Sequence, residues 1–160
     1  MPIKTFLTDN TPIKEGKEFT FINTNANAGA VSVGVRSTLG FGTSIFLLIG
    51  EMGQDQTEIA RVPADTALGG FNLPVASPGL RFSHPVDTKV YRIDWNQVAF
   101  SRATSVSSQK ATLTTIDLQP DLFETQYRDT TNTTGFGFVE LYNSIDARYS
   151  TASDPIPYTG

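Results

Sequence analysis

The chain has 160 residues, no cysteine, one histidine and a net charge of −4. Its length fits one domain with a single hydrophobic core, and the lack of cysteine excludes disulfides and thiolate zinc sites. The 12 basic residues are scattered rather than clustered, which argues against a nucleic-acid interface. The longest apolar run, residues 45–49, is far below the ~20 residues of a membrane-spanning helix, so we expect no membrane insertion.

The first half of the chain has the patterns of short strands. Residues 17–23 place Phe19 and Phe21 on one face of a strand, and a turn follows. Alternation then predicts a half-buried strand with three inward valines, Val31, Val33 and Val35.

A continuous apolar run predicts the centre of a sheet. Residues 45–49 lie between Gly42 and Gly50, which suits a strand covered on both faces. Residues 56–62 can pair back across a turn at 51–55, so a hairpin is expected, and the proline-rich stretch 63–85 predicts an irregular region.

The second half begins with the clearest strand. Residues 89–95 place three large apolar side chains on one face, namely Tyr91, Ile93 and Trp95. Residues 97–107 fit either a strand or a helical turn, whereas 110–118 and 135–142 predict strands. Residues 117–128 could hold a short helix after Pro120, because Asp121 to Glu124 suits a first helical turn.

Seven to nine short strands without a convincing amphipathic helix are typical of an all-β fold. We predict a single-domain β-sandwich or jelly roll with extended N- and C-terminal arms. The expected boundaries are an N-terminal arm at 1–16, the β-domain at 17–145 and a C-terminal arm at 146–160.

Few side chains suit catalysis. His84 has Ser83 and Asp87 nearby, but residues so close together in a proline-bounded loop do not easily adopt the geometry of a catalytic triad. The spacing of four acidic residues matches no EF-hand loop, and a solvated acidic surface explains them better: Asp117, Asp121, Glu124 and Asp129. We therefore predict no catalytic, metal or cofactor-binding residues.

An aromatic and an amide at the end of the predicted strand 89–95 suggest one alternative. Trp95 can stack on a pyranose while Asn96 bonds its hydroxyls, as in a carbohydrate-binding module. The other interpretation, which we favour, is that Trp95 lies in the core, because an exposed Tyr-Ile-Trp stripe would form a large apolar patch.

The two ends of the chain carry apolar residues between prolines. Ends of this kind need partners to stay ordered, either along their own domain or on neighbouring subunits. The candidate partner-binding residues are Ile3, Phe6, Leu7 and Ile13 in the N-terminal arm, and Ile156 and Tyr158 in the C-terminal arm.

The overall style of the chain resembles bacteriophage virion structural proteins. It combines a cysteine-free, Thr- and Asn-rich β-domain with proline-punctuated arms and a closing strand at 135–142. Capsid decoration (cement) proteins and single-jelly-roll capsid proteins share this style, although no diagnostic motif is present. The resemblance implies a non-enzymatic assembly role, self-association as a homotrimer, contacts with capsid subunits and location in the virion. Residues 1–10 lack a secretory signal, so synthesis in the host cytoplasm is expected.

Overall fold

A computed structural model describes residues 4–9, 18–105, 107, 109–120, 124–129, 135–150 and 156–157. For 4–9, 124–126 and 156–157 the description covers the backbone. The protein is all-β, as predicted, and its described part contains no helix. The strands are β1 Lys4–Asp9, β2 Phe19–Phe21, β3 Ser32–Gly34, β4 Phe46–Ile49, β5 Glu58–Arg61, β6 Asn72–Pro74, β7 Lys89–Ile93, β8 Gln97–Ala103, β9 Ala111–Asp117, β10 Glu124–Asp129, β11 Phe136–Asn143, β12 Arg148–Tyr149 and β13 Ile156–Pro157.

The described strands divide into two compact units. The β2–β7 unit contains those six consecutive strands, and the β8–β13 unit contains the later strands together with β1. The sandwich or jelly-roll arrangement and the domain boundaries at residues 16 and 145 stay predictions.

The β2–β7 unit is built around β4. Its antiparallel sheet has the order β2-β7-β4-β5, and a ribbon of β3 with β6 is a second sheet. All four residues of β4 are buried, and β4 pairs with a strand on each side. This confirms the predicted central strand and the hairpin that follows it. A cluster of buried side chains fills this unit, including Ile22, Val33, Val35, Leu47, Ile49, Val62, Leu73 and Val90.

The β8–β13 unit has β8 at its centre. Its sheet has the order β12-β11-β8-β9, with β13 added to β11, and β1 pairs with β10 in a separate ribbon. The contacts that join the ribbon to the sheet include one pair of rings and one ion pair. The Phe100 and Tyr127 rings lie 5.3 Å apart between centroids, and Arg102 Nη1 lies 3.4 Å from the buried Asp129 carboxylate. The ambiguous segment after residue 97 is therefore a strand, held by tertiary pairing on both sides.

Three local predictions differ from the structure. The expected helix after Pro120 is wrong where the chain is described, because residues 124–129 form β10 and pair with the distant β1. The strand from residue 89 ends at Ile93, which leaves Trp95 half-buried rather than in the core stripe. Val31 precedes β3 and is 60% exposed, unlike the fully buried Val33 and Val35.

Phe100 provides a test of the packing in the β8–β13 unit. It is fully buried and stacks on Tyr127, so Phe100→Ala should lower the free energy of unfolding by about 3–5 kcal/mol. Phe71→Ala is the matched control, because that ring is 62% exposed and its loss should change stability by no more than about 0.5 kcal/mol. Chemical denaturation measures both, and equal losses would contradict the packing described.

Candidate functional site

The single histidine is tied into the β2–β7 unit. His84 is 3% exposed, and its backbone exchanges hydrogen bonds of 2.8 and 2.9 Å with Ala26. Its Nε2 lies 2.8 Å from Glu58 Oε1. Ser83 Oγ accepts from the Ala28 N–H, and Asp87 pairs with Arg36. Ser83, His84 and Asp87, which were considered as a catalytic triad, thus each bond to a different partner in the fold.

Glu58 receives three hydrogen bonds. Besides His84, the backbone N–H groups of Arg81 and Phe82 donate to its carboxylate at 2.7 and 3.0 Å. Burial alone would raise the pKa of Glu58, but the hydrogen bond from His84 and the two backbone donors outweigh it and lower the pKa. Because an ionised carboxylate only accepts, His84 donates from Nε2.

The four acidic residues that were considered as a calcium site do not share one environment. Asp117 accepts a 2.7 Å hydrogen bond from Gln97 Nε2, and Asp129 is 1% exposed beside Arg102. Asp121 and the side chain of Glu124 lie outside the described residues. Within the described ranges, no group of three or more His, Asp or Glu side chains is placed to hold a metal ion.

Trp95 and Asn96, the candidate glycan residues, have internal partners. The Arg148 guanidinium lies 5.0 Å from the Trp95 ring centroid, so a sugar stacking on that face would have to displace it. Asn96 Nδ2 donates to Ser144 Oγ at 2.9 Å, and its Oδ1 accepts from the Ser144 N–H at 3.0 Å. Asn96 therefore fixes the turn after β11, and a glycan role for the pair stays a prediction.

The candidate arm residues lie partly in paired strands. Phe6 and Leu7 belong to β1 and pair through the backbone with Tyr127 and Gln126, and Ile156 of β13 pairs with Gly137. Ile3, Ile13 and Tyr158 lie outside the described residues. The parts of the arms that are described thus join sheets of their own chain, and contacts with partners stay a prediction.

The outer edge of β9 has no strand beside it in the described part of the chain. β9 is seven residues long, ends the order β12-β11-β8-β9 and contains no proline. The Leu118 N–H donates to the Asn96 carbonyl at 3.0 Å. In an antiparallel pair, the backbone groups of successive residues point alternately toward the neighbouring strand and away from it. The backbone groups of Ile116 therefore point to β8, whereas those of Thr115 and Asp117 point away from it. These outward groups form a ladder of donors and acceptors.

The edges of the β2–β7 sheet are covered instead. On the β2 side, the Phe21 carbonyl accepts from the Arg36 N–H, and Thr20 Oγ1 accepts from the Ser37 N–H. On the β5 side, the Arg61 carbonyl accepts from the Ala76 N–H, and the Glu58 carboxylate holds the chain at 81–82. Such coverings prevent strand addition. Within the described part of the chain, the outer edge of β9 thus differs from the two edges of the β2–β7 sheet.

A groove of about 400 Å³ opens on the β2–β7 unit. The turn between β4 and β5 forms one wall with Glu51, Gln54 and Gln56, and the loop before β7 forms the other. Phe21 of β2 also lines it. Sequence reasoning missed these residues, because turn glutamines carry no pattern of their own and the two walls are distant in sequence.

The Glu58 contact predicts how stability depends on pH. A lowered pKa means that ionised Glu58 stabilises the fold, with the full effect above its ordinary pKa of 4.5 and a loss as the pH falls through the lower folded value. Glu58→Gln should cost about 1–3 kcal/mol at neutral pH, because a backbone donor loses its acceptor. It should also flatten the fall in stability below pH 4.5. Urea unfolding between pH 2.5 and 7 measures both effects, and an unchanged slope would contradict the assignment.

Comparison with known proteins places the chain in no family. No protein-family model matches the sequence, and no curated protein is significantly similar to it. The part of the chain that the structure describes contains no helix long and apolar enough to cross a membrane.

Proposed function

We propose that this chain is a non-enzymatic structural protein that assembles with copies of itself by adding a strand at the edge of β9. The observation that carries the proposal is the seven-residue outer edge of β9, whose backbone groups meet no strand of the described part. An exposed edge of this length is a template for pairing with another chain. The covered edges of the β2–β7 sheet show how this protein closes an edge elsewhere.

The composition of β9 suits pairing with a second copy. Lys110 immediately precedes the strand and Asp117 ends it, so an antiparallel copy brings each lysine near the aspartate of its neighbour. The Lys110 amino group already holds Glu140 at 2.8 Å, but it has three donors and can bond a second carboxylate. Between these ends the threonines can form cross-strand pairs, which stabilise sheets.

Two-fold pairing of β9 with β9 produces a closed dimer. The homotrimer implied by the resemblance to decoration proteins would instead pair β9 with a different strand of its neighbour. In a virion, either form would present the same β-domain to capsid subunits, with the arms as further contacts. The internal partners of His84 and the lack of cysteine support a structural role over an enzymatic one.

Proline at Thr115 tests the edge. The Thr115 N–H points away from β8, so Thr115→Pro removes a donor from the outer edge while leaving the β8–β9 ladder in place. We expect wild-type protein to self-associate in light scattering and Thr115→Pro to run as a monomer with an unchanged circular dichroism spectrum. Thr115→Val keeps the N–H and should associate like the wild type.

A second variant covers the case in which proline unfolds the chain. Thr115→Lys places a charge on the exposed edge, keeps the N–H, and should also weaken association. A wild type that is monomeric at every concentration would contradict the proposal, as would variants that associate as strongly as the wild type.

A further inference from the structure

The groove of the β2–β7 unit has free hydrogen-bonding side chains. Gln54 and Gln56 are exposed, and neither amide makes a side-chain hydrogen bond within the described part of the chain. Each amide can both donate and accept. The volume of about 400 Å³ lies within the usual range of small-molecule sites. The groove can therefore hold a ligand that both donates and accepts.

The walls of the groove are held rigidly. Tyr91 donates to Glu51 Oε1 at 2.6 Å, and Thr57 Oγ1 donates to the Glu51 carbonyl. Gly50, beneath this turn, has a φ of +101°, and a Cβ there would lie 2.8 Å from Thr57 Oγ1. Across the groove, the bond from His84 to Glu58 anchors the opposite loop. A site held in this way loses little conformational entropy when it binds a ligand.

The charged side chains Glu51, Asp87 and Lys89 of the groove each lie beside a side chain of opposite charge. Lys89 Nζ lies 3.9 Å from Glu51, and Arg36 pairs with Asp87. An anionic ligand would meet Glu51 and Asp87, and a cationic one would meet Lys89, so either charge would compete with an existing pair. The balance favours a ligand without net charge.

An aromatic ring completes the lining. Phe21 is half-buried and presents an apolar surface beside the polar walls. The Arg36 guanidinium lies 5.1 Å and the Lys89 amino group 6.0 Å from its centroid, so a ligand that stacks on the same face as either cation would have to displace it. A ligand that fits this combination has hydroxyl groups for the carboxylates and amides and C–H groups for the ring.

We propose that this groove binds a neutral saccharide, with Gln54 and Gln56 bonding its hydroxyl groups and Phe21 contacting its C–H face. Sugar hydroxyls donate to the Glu51 and Asp87 carboxylates and exchange both kinds of hydrogen bond with the amides. The groove belongs to the β2–β7 unit, whereas β9 belongs to the other unit. Variants of the groove and variants of the β9 edge therefore change different units of the chain.

Titration with neutral sugars tests the site directly. The probes are methyl glucoside, methyl galactoside, methyl mannoside, N-acetylglucosamine and their disaccharides, added to ¹⁵N-labelled full-length protein. We expect at least one of them to shift the backbone amide signals of residues 50–57 and 84–89 and to leave β9 unchanged. Glucosamine and glucuronate, the charged analogues, should bind more weakly.

Exposed amides allow a variant that leaves the fold intact. The double variant Gln54→Ala with Gln56→Ala should bind the sugar about tenfold more weakly, because it loses two hydrogen bonds. Gln109→Ala is the matched control, since Gln109 is exposed and belongs to the other unit. It should bind like the wild type.

Three outcomes would overturn the saccharide site. These are a panel in which no neutral sugar shifts the groove signals, a charged analogue that binds more tightly than its neutral parent, and a double variant with wild-type affinity. None of them would alter the light-scattering result for Thr115→Pro.

Discussion

The carboxylate of Glu58 accepts hydrogen bonds from the Arg81 and Phe82 N–H groups and from the His84 ring, and much of the β2–β7 unit depends on these contacts. They hold the loop that leads into β7 close to β5. The opposite wall of the groove belongs to this same loop. One buried acidic side chain thus holds a loop beside β5 and fixes one wall of a candidate ligand site. Burial of this carboxylate is tolerated because three hydrogen bonds satisfy it. Removing it would leave two backbone donors and a histidine without their acceptor.

The same requirement for hydrogen-bond partners explains the contrast between the two units. In the β2–β7 sheet, loop N–H groups donate to the carbonyls of Phe21 and Arg61 on the two edge strands, and the Glu58 side chain of β5 accepts from another loop. In the β8–β13 unit the ribbon of β1 and β10 packs on Phe100, but β9 has no strand beside it among the described residues. Water satisfies such an edge in the monomer, and a second chain satisfies it in an assembly. This difference makes β9 the surface on which the assembly proposal depends.

Sequence patterns predicted the strands that have a clear local pattern of apolar and polar residues. The apolar run at β4, the alternation at Val33 and Val35, and the closing strand β11 all lie where they were expected. Prediction failed at β10, because the signal for a first helical turn is local whereas the pairing with β1 spans more than a hundred residues of chain. It was ambiguous at β8, whose strand conformation depends on neighbours on both sides.

The sequence by itself determined the all-β class, the lack of thiol chemistry and the central strand, because composition and hydrophobic period act within a few residues. Only the tertiary structure decided that His84 is paired with Glu58, that Asn96 fixes a turn, and that glutamines of one turn face a loop some thirty residues away. It also decided that, among the described residues, no strand lies beside the outer edge of β9. The physical reason is the same in each case. Hydrogen-bond partners and groove walls come from distant segments, and their meeting depends on strand order, which no local pattern encodes.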